Sequence, residues 1–185
     1  MSYTLKDVFY LDAQVNTGTA ASDAADALDL SAYVDPIAKG RSRGVGLAIY
    51  KVHFDVVDDT ANQPVAATTT GQMRVGLIAN PGIGSFTTAS GTTLDPAILR
   101  ASNDLMIAGM DYCAPATSTN AYPNMYEYVK PSADVPYIVV RDSIALCIDV
   151  STVFSNAATV AVRLECAQVS LDQATLNQLL RTQTV

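Results

Sequence analysis

His53 is the only histidine in the chain, and that bounds the chemistry available to it. Nucleophilic catalysis needs an activated hydroxyl or thiol beside a base. No Gly-x-Ser-x-Gly elbow and no Cys/His signature accompanies His53. By strand parity His53 shares a face with Lys51 and Asp55, so a solvated strand histidine is the simpler reading. Cys113, Cys147 and Cys166 are odd in number and lack CxxC spacing, which supports neither a disulfide framework nor a structural zinc site. Cys166 continues an apolar parity and reads as a small core residue, while Cys147 shares the mixed face of Ser143, Ala145 and Asp149. Neither has a basic neighbour in sequence that would lower its pKa.

Phosphate and metal chemistry fare no better. Gly82-Ile83-Gly84-Ser85 and Gly40-Arg41-Ser42-Arg43-Gly44 have loop composition, but neither has Walker or dinucleotide spacing between a strand and a helix. Lys39, Arg41 and Arg43 form the one basic cluster, which reads as a solvated turn or as a site for an acidic partner or lipid head group. Asp55 to Asn62 offers hard oxygen ligands without the order of an EF-hand loop or its terminal Glu, so an acidic hairpin turn is expected there and no metal. Paired carboxylates of the glycosidase kind can come from distant strands. However, Glu165 sits beside Arg163 and reads as paired or solvated, and the chain has no Trp for a sugar platform. No enzymatic activity and no cofactor are expected.

The elements that carry these residues are strands. Period-two alternation dominates. Tyr3 to Val15 is apolar at odd positions except Asp7, and Leu28 to Val34 is a weaker strand. From Gly44 to Val57 the even positions, Gly46, Ala48, Tyr50, Val52, Phe54 and Val56, stay apolar or small. The odd positions there change from Val45, Leu47 and Ile49 to Lys51, His53 and Asp55. Such a strand is buried on both faces at one end, with its outer face covered by a loop or another subunit. Strands are also expected at 72–79, 105–112, 137–141, 144–150 and 158–169, giving eight in all. Ser170-Leu171-Asp172-Gln173 reads as a capping box with Ser170 as N-cap. Leu176, Leu179 and Leu180 then follow at helical spacing. Ser22 to Leu28 is a short helix or a loop.

Two long loops are expected, Pro81 to Ala101 and Ala114 to Pro136, the second bearing Tyr122, Tyr126 and Tyr128. Loops of that length in a compact domain usually carry function or pack against something. No linker divides the chain. The expectation is therefore an all-β fold: one domain over residues 1–185, a single eight-stranded antiparallel jelly-roll sandwich with a short C-terminal helix.

At 185 residues and 49% hydrophobic, the chain can bury a full core. The hydrophobic share exceeds what one inward face per strand requires, which points to surfaces covered by other subunits. A net charge of −7 without a Lys/Arg run argues against direct nucleic-acid binding. Glu127 and Glu165 are the only glutamates among 18 acidic residues, and lysine is confined to four positions. That bias suits strong salt, where short carboxylates hold water; the alternative is that Asp is simply serving turns. The segment from Met1 lacks a basic region followed by an apolar core, and no apolar run reaches the roughly 18 residues of a membrane span, so neither ordinary export nor membrane insertion is expected.

The length, the strand pattern, the Tyr- and Thr-bearing loops and the Asp-rich, Lys-poor composition resemble the smaller major capsid protein of tailless icosahedral, internal-membrane viruses of halophilic archaea. The likeness covers the whole chain as architecture and rests on no short motif. It implies a structural virion protein, made in the host cytoplasm, that associates with copies of itself and with a second, larger jelly-roll capsid protein into capsomers. It also implies standing on an internal membrane or its associated proteins. On this resemblance, candidate subunit contacts are Val45, Leu47 and Ile49 on the long strand and Tyr122, Tyr126 and Tyr128 in the loop, aromatics being enriched at interface centres. The terminal helix would cover its own sheet or dock on a neighbour. Charged residues at 16% are few for an extreme halophile, which implies surface buried between subunits or a lesser role for salt. The alternative function is a jelly-roll ligand-binding module of the lectin kind.

Overall fold

The structure is a computed structural model. It describes residues 8–17, 23–35, 43–60, 63–65, 70–79, 96–116, 122–152 and 154–183. The expected strand segment 3–7, Ser22, Lys39 and Arg41 of the basic cluster, and Gly82 to Ser85 lie outside these residues.

Nine strands and a terminal helix are described: β1 (Phe9–Asn16), β2 (Ala24–Asp29), β3 (Arg43–Asp58), β4 (Gly71–Ala79), β5 (Met106–Ala114), β6 (Asn124–Val129), β7 (Tyr137–Val139), β8 (Ser143–Thr152), β9 (Ala158–Asp172) and α1 (Gln173–Thr182). One sheet has the order β1-β9-β3-β7 and the other β2-β8-β4-β5-β6. Every pairing is antiparallel. Leaving β6 aside, the first strand pairs with the last, the second with the second last, the third with the third last, and the fourth with the fifth. A long hairpin wound so that its paired strands alternate between two facing sheets is a jelly roll. β6 is an added strand on the free edge beside β5.

The inner faces of both sheets meet in one core, with Leu47, Val52 and Leu164 from the first sheet against Val75, Met110 and Ile148 from the second. Cys166 is buried in that core, as its parity implied, and burial pushes its thiol up to about 12.

Three expectations about the strands are corrected, and one about the helix. The long strand does not keep one parity. Ile49 pairs with Cys166 and Lys51 with Glu165, so Tyr50 is an extra residue, and the bulge reverses which side chains face inward. Before it Leu47 and Ile49 point into the core; after it Val52 and Val56 do. Second, the strand placed at Leu28 to Val34 lies earlier, at Ala24–Asp29, within the stretch Ser22 to Leu28 that was expected to be a short helix or a loop. Leu30 and Val34 are buried in the turn that follows, where the Tyr33 and Val34 amides donate to the Leu30 carbonyl. Third, β6 crosses the segment expected to be a loop.

The N-cap of α1 is Asp172, not Ser170. β9 stays paired with β3 as far as Asp172, which holds Ser170 in the ladder, and the Asp172 carboxylate accepts from the Thr175 amide at 2.8 Å. That hydrogen bond lowers the Asp172 pKa. Its stabilisation of α1 is therefore fully present above the ordinary value of 3.8 and is lost as pH falls through the lowered value. Helical signal from residues 173–182, followed by circular dichroism or amide exchange, is expected to fade at acid pH in the wild type. It should persist in Asp172→Asn, whose amide caps without titrating.

α1 lies on the outer face of the first sheet. Leu176 is fully buried with Val140 and Leu171, and Leu179 and Leu180 pack on the same cluster. Small residues admit it: a Cβ at Gly44 would come 2.6 Å from Leu176 Cδ2, and one at Gly46 would come 3.0 Å from Leu171 Cδ1. Gln183 fastens the helix end. Its Nε2 donates to the Ile138 carbonyl at 2.7 Å and its Oε1 accepts from the Val140 amide at 3.1 Å. The double-sided burial at 44–49 is thus cover by the chain's own helix over Gly44, Gly46 and Ala48, with Leu47 and Ile49 on the core side.

The second sheet is covered likewise. Gly76 and Gly109 face each other across β4 and β5 and open a trough on the outer face. Leu99, from the short helical turn Pro96–Leu99, fills it over Gly76, and the Tyr128 ring fills it over Gly109. Cys147 is buried beneath this cover with Ile78 and Met106, and burial pushes its thiol up to about 12.

Candidate functional site

Aromatic side chains on β6 and charged side chains on the sheet faces are the groups that a partner could meet. β6 pairs with β5 on one side and forms the edge of its sheet. Met110 pairs with Glu127 and Gly109 with Val129, so Tyr128 is a bulged residue. The bulge turns it back over the sheet: its hydroxyl donates to the Leu99 carbonyl at 2.7 Å, and the Arg74 guanidinium lies 4.7 Å from its ring centre. Burial pushes the Tyr128 hydroxyl up to about 12. Asp111 accepts from Arg74 Nε and Nη2 at 2.7 and 2.8 Å, a two-point pair that holds the guanidinium over the ring.

Of the six sequence-derived contact residues, the structure sets two at the surface. Tyr122 is 91% exposed and Tyr126 65%, with Met125 also exposed between them. Tyr128 is spent within the chain. Leu47 and Ile49 have no exposed surface and belong to the core, and Val45, half-buried, shares their parity. The bulge at Tyr50 is the physical reason, since it puts these side chains inward where uniform alternation put them outward. The apolar content at 44–49 thus needs no second subunit to cover it.

The trough has a direct test. A methyl group at Gly109 would overlap the Tyr128 ring, which is held at its hydroxyl and by Arg74. Gly109→Ala is expected to cost about 1–3 kcal/mol in chemical denaturation. In a Tyr128→Ala background the same change is expected to cost far less, because the ring it displaces is gone. Equal costs in the two backgrounds would remove the ring from the account.

Two further ion pairs lie on the first sheet. His53 Nε2 lies 2.8 Å from Glu165 Oε1 on the exposed outer face of the first sheet, as parity expected for the histidine. Arg163 Nε donates to Asp12 at 2.8 Å and its guanidinium lies 5.9 Å from the Tyr10 ring centre. Asp149, on the second sheet, has its pKa raised by burial and by Asp23. Several aspartates serve turns and caps: Asp29 accepts from the Ser31 amide, and Asp58 accepts from the Thr60 amide and hydroxyl and from Asn156. In the Asp55 to Asn62 segment, then, the buried Asp58 is a structural pin, while Asn62 lies outside the described residues. Among the described residues no three His, Cys, Asp or Glu side chains cluster as metal ligands.

No protein-family model and no curated protein matches the sequence. Among solved structures, Merkel cell polyomavirus VP1 in complex with 3'-sialyllactosamine is similar at 8% identity and a TM-score of 0.46, over 93% of this chain and 99% of that one. Trichodysplasia spinulosa-associated polyomavirus VP1 in complex with GM1 oligosaccharide gives 9% and 0.42, over 93% and 97%. Human polyomavirus 12 VP1 in complex with 3'-sialyllactosamine gives 10% and 0.37, over 90% and 100%. The strand order of the two sheets, independent of these matches, defines the jelly roll.

Proposed function

We propose that this chain is a structural virion protein, a single jelly-roll building block of a capsid shell. The observation that carries the reading is the distribution of side chains on the wound sandwich. His53, Arg74 and Arg163 are each held by a carboxylate, whereas Met125 and Tyr126 stand exposed on the edge strand β6, with Tyr122 exposed just before it. Edge strands with exposed apolar side chains invite association, and soluble proteins normally blunt them with charge. β2, the opposite edge of the same sheet, carries Asp26 and Asp29, whereas β6 carries one carboxylate, Glu127, which Lys130 faces at 3.7 Å. β6 is therefore the contact through which this chain meets copies of itself or a second, larger capsid protein.

The sequence resemblance to small capsid proteins of halophilic archaeal viruses supports the finer reading of partner and habitat. Exposed Asp12, Asp26, Asp35, Asp55 and Asp172 are in keeping with it, as is the scarcity of lysine. Light scattering of the purified chain tests both: large oligomers at molar salt that dissociate at low salt are the expected result. A monodisperse monomer, indifferent to salt, would exclude the building-block reading, and glycan binding by that monomer would favour a lectin-like module.

A further inference from the structure

One row of charge crosses the outer face of the second sheet. Arg74 on β4 pairs in register with Asp111 on β5 and with Asp149 on β8. Ala24 of β2 pairs with Ile148, so the next position sets Asp23 opposite Asp149. The row therefore reads Asp23, Asp149, Arg74, Asp111, with a single guanidinium among its carboxylates. Asp111 takes the Arg74 fork through two hydrogen bonds of 2.7 and 2.8 Å, so that charge is already balanced where Asp149 meets it. Asp23 is pinned beside Asp149, because its Oδ1 accepts from the Val150 amide at 3.0 Å. Both carboxylates are half-buried. Asp149 also opens on a recess of about 530 Å3 whose walls include Arg100, Asp111 and Cys113.

Like charges directly opposite one another weaken a strand pair. Here they sit where β2, an edge strand of six residues, is held among the described residues by β8 alone. A proton on Asp149 ends the repulsion and makes the carboxyl a donor to Asp23, the arrangement of two carboxyl groups that share one proton. From this register we infer that Asp23 and Asp149 form a proton-operated clasp, which holds β2 loosely on β8 at neutral pH and closes the seam in mild acid. Burial, then Asp23, raise the pKa of Asp149, and Arg74 offsets part of the rise. The folded state thus binds this proton more tightly than the unfolded chain does. Stability is gained as pH falls through the raised value, and the gain is complete below the ordinary 3.8. α1 responds in the opposite sense and in another window, since its cap at Asp172 weakens below 3.8. The clasp is independent of the self-association proposed above.

Amide hydrogen exchange of the full chain between neutral pH and the onset of the α1 window, with chelator present so that the proton is the variable, tests the clasp. Rates are taken relative to the unstructured chain at each pH, and the amides of β4 serve as the internal reference. Protection of the β2 amides is expected to rise roughly two- to fivefold over β4 as pH falls, the scale of one like-charge cross-strand pair. Asp149→Asn and Asp23→Asn each remove one carboxylate and keep the amide oxygen. Each is expected to raise β2 protection at neutral pH and to flatten its pH dependence, so either serves if the other fails to fold. The double variant is expected to add little to the singles, because one repulsion is removed in both. A wild type whose β2 protection stays level with β4 throughout, single variants that keep its slope, or a double variant whose effect is the sum of the singles overturns the clasp.

Discussion

Ile49→Ala is expected to lower the free energy of unfolding by about 2–5 kcal/mol, with Leu47→Ala in the same range. Both side chains are fully buried in the core shared by the two sheets. Truncation removes their transfer free energy and leaves a cavity that a β-ladder bound on both sides closes poorly; β3 is flanked there by β9 and β7. Urea denaturation of the isolated subunit checks the value. The direction discriminates between two accounts of one sequence feature. If these residues were subunit contacts, truncation would leave the monomer's stability unchanged and weaken assembly alone. A loss of less than about 0.5 kcal/mol, the usual range of surface substitutions, would return them to the surface and remove the Tyr50 bulge from the account.

Leu176→Ala is the second large effect. Leu176 is the one fully buried side chain of α1 and lies over Gly44, where no side chain of β3 fills the space. Its cluster is small, with Val140 and Leu171 as the other buried members. The cost is therefore expected near the lower end of the Leu→Ala range, about 2–3 kcal/mol. The loss is expected to be local as well as global. Amides of residues 173–182 and the Val140 amide, which donates to Gln183, should exchange faster, while those of β4 and β8 keep the protection of the whole fold. Uniform loss of protection in both sheets would show that α1 is part of the core rather than a cover on one face.

These two substitutions mark where sequence periodicity is informative and where it fails. β9 was legible because its buried positions alternate over most of its length, and β4, β5 and β8 because their apolar runs have strand length. The wound pairing of first with last strand also agrees with the jelly roll expected from strand count and loop length. His53 and Cys166 fell where parity placed them. A bulge, in contrast, adds one residue to one strand, has no composition of its own, and reverses every side chain beyond it. Val45, Leu47 and Ile49 were assigned outward for that reason. β6 was hidden by its own exposure: Asn124 to Glu127 are open to solvent, so there is no apolar alternation to detect, and the bulge at Tyr128 breaks what remains. Tyr126 and Tyr128, two apart, were its one period-two signal.

The helix boundary was misplaced by a different competition. Ser170 and Gln173 have the spacing of a capping box, but the ladder between β3 and β9 continues through Asp172, and strand pairing prevails over the local cap. The Asp-rich composition likewise has two sources. Asp26, Asp29, Asp58 and Asp172 accept from backbone amides, while Asp12, Asp35 and Asp55 add to the exposed charge. Part of the aspartate bias is therefore turn chemistry, and the remainder is surface charge. The high hydrophobic content divides in the same way, since α1, Leu99 and Tyr128 cover sheet faces that a second subunit was expected to cover. Among the described residues, the large apolar side chains left exposed are few: Val8, Tyr10, Tyr122, Met125, Tyr126 and Val135.

Cryo-electron microscopy of particles fractionated from the source material, with this chain followed through the fractions by mass spectrometry, tests the building-block role most directly. The expected result is a closed shell whose lattice contains density for a two-sheet sandwich of this strand order, with the chain co-fractionating with the particles. Recovery of the chain solely as a free monomer, with particles that lack it, would contradict the account.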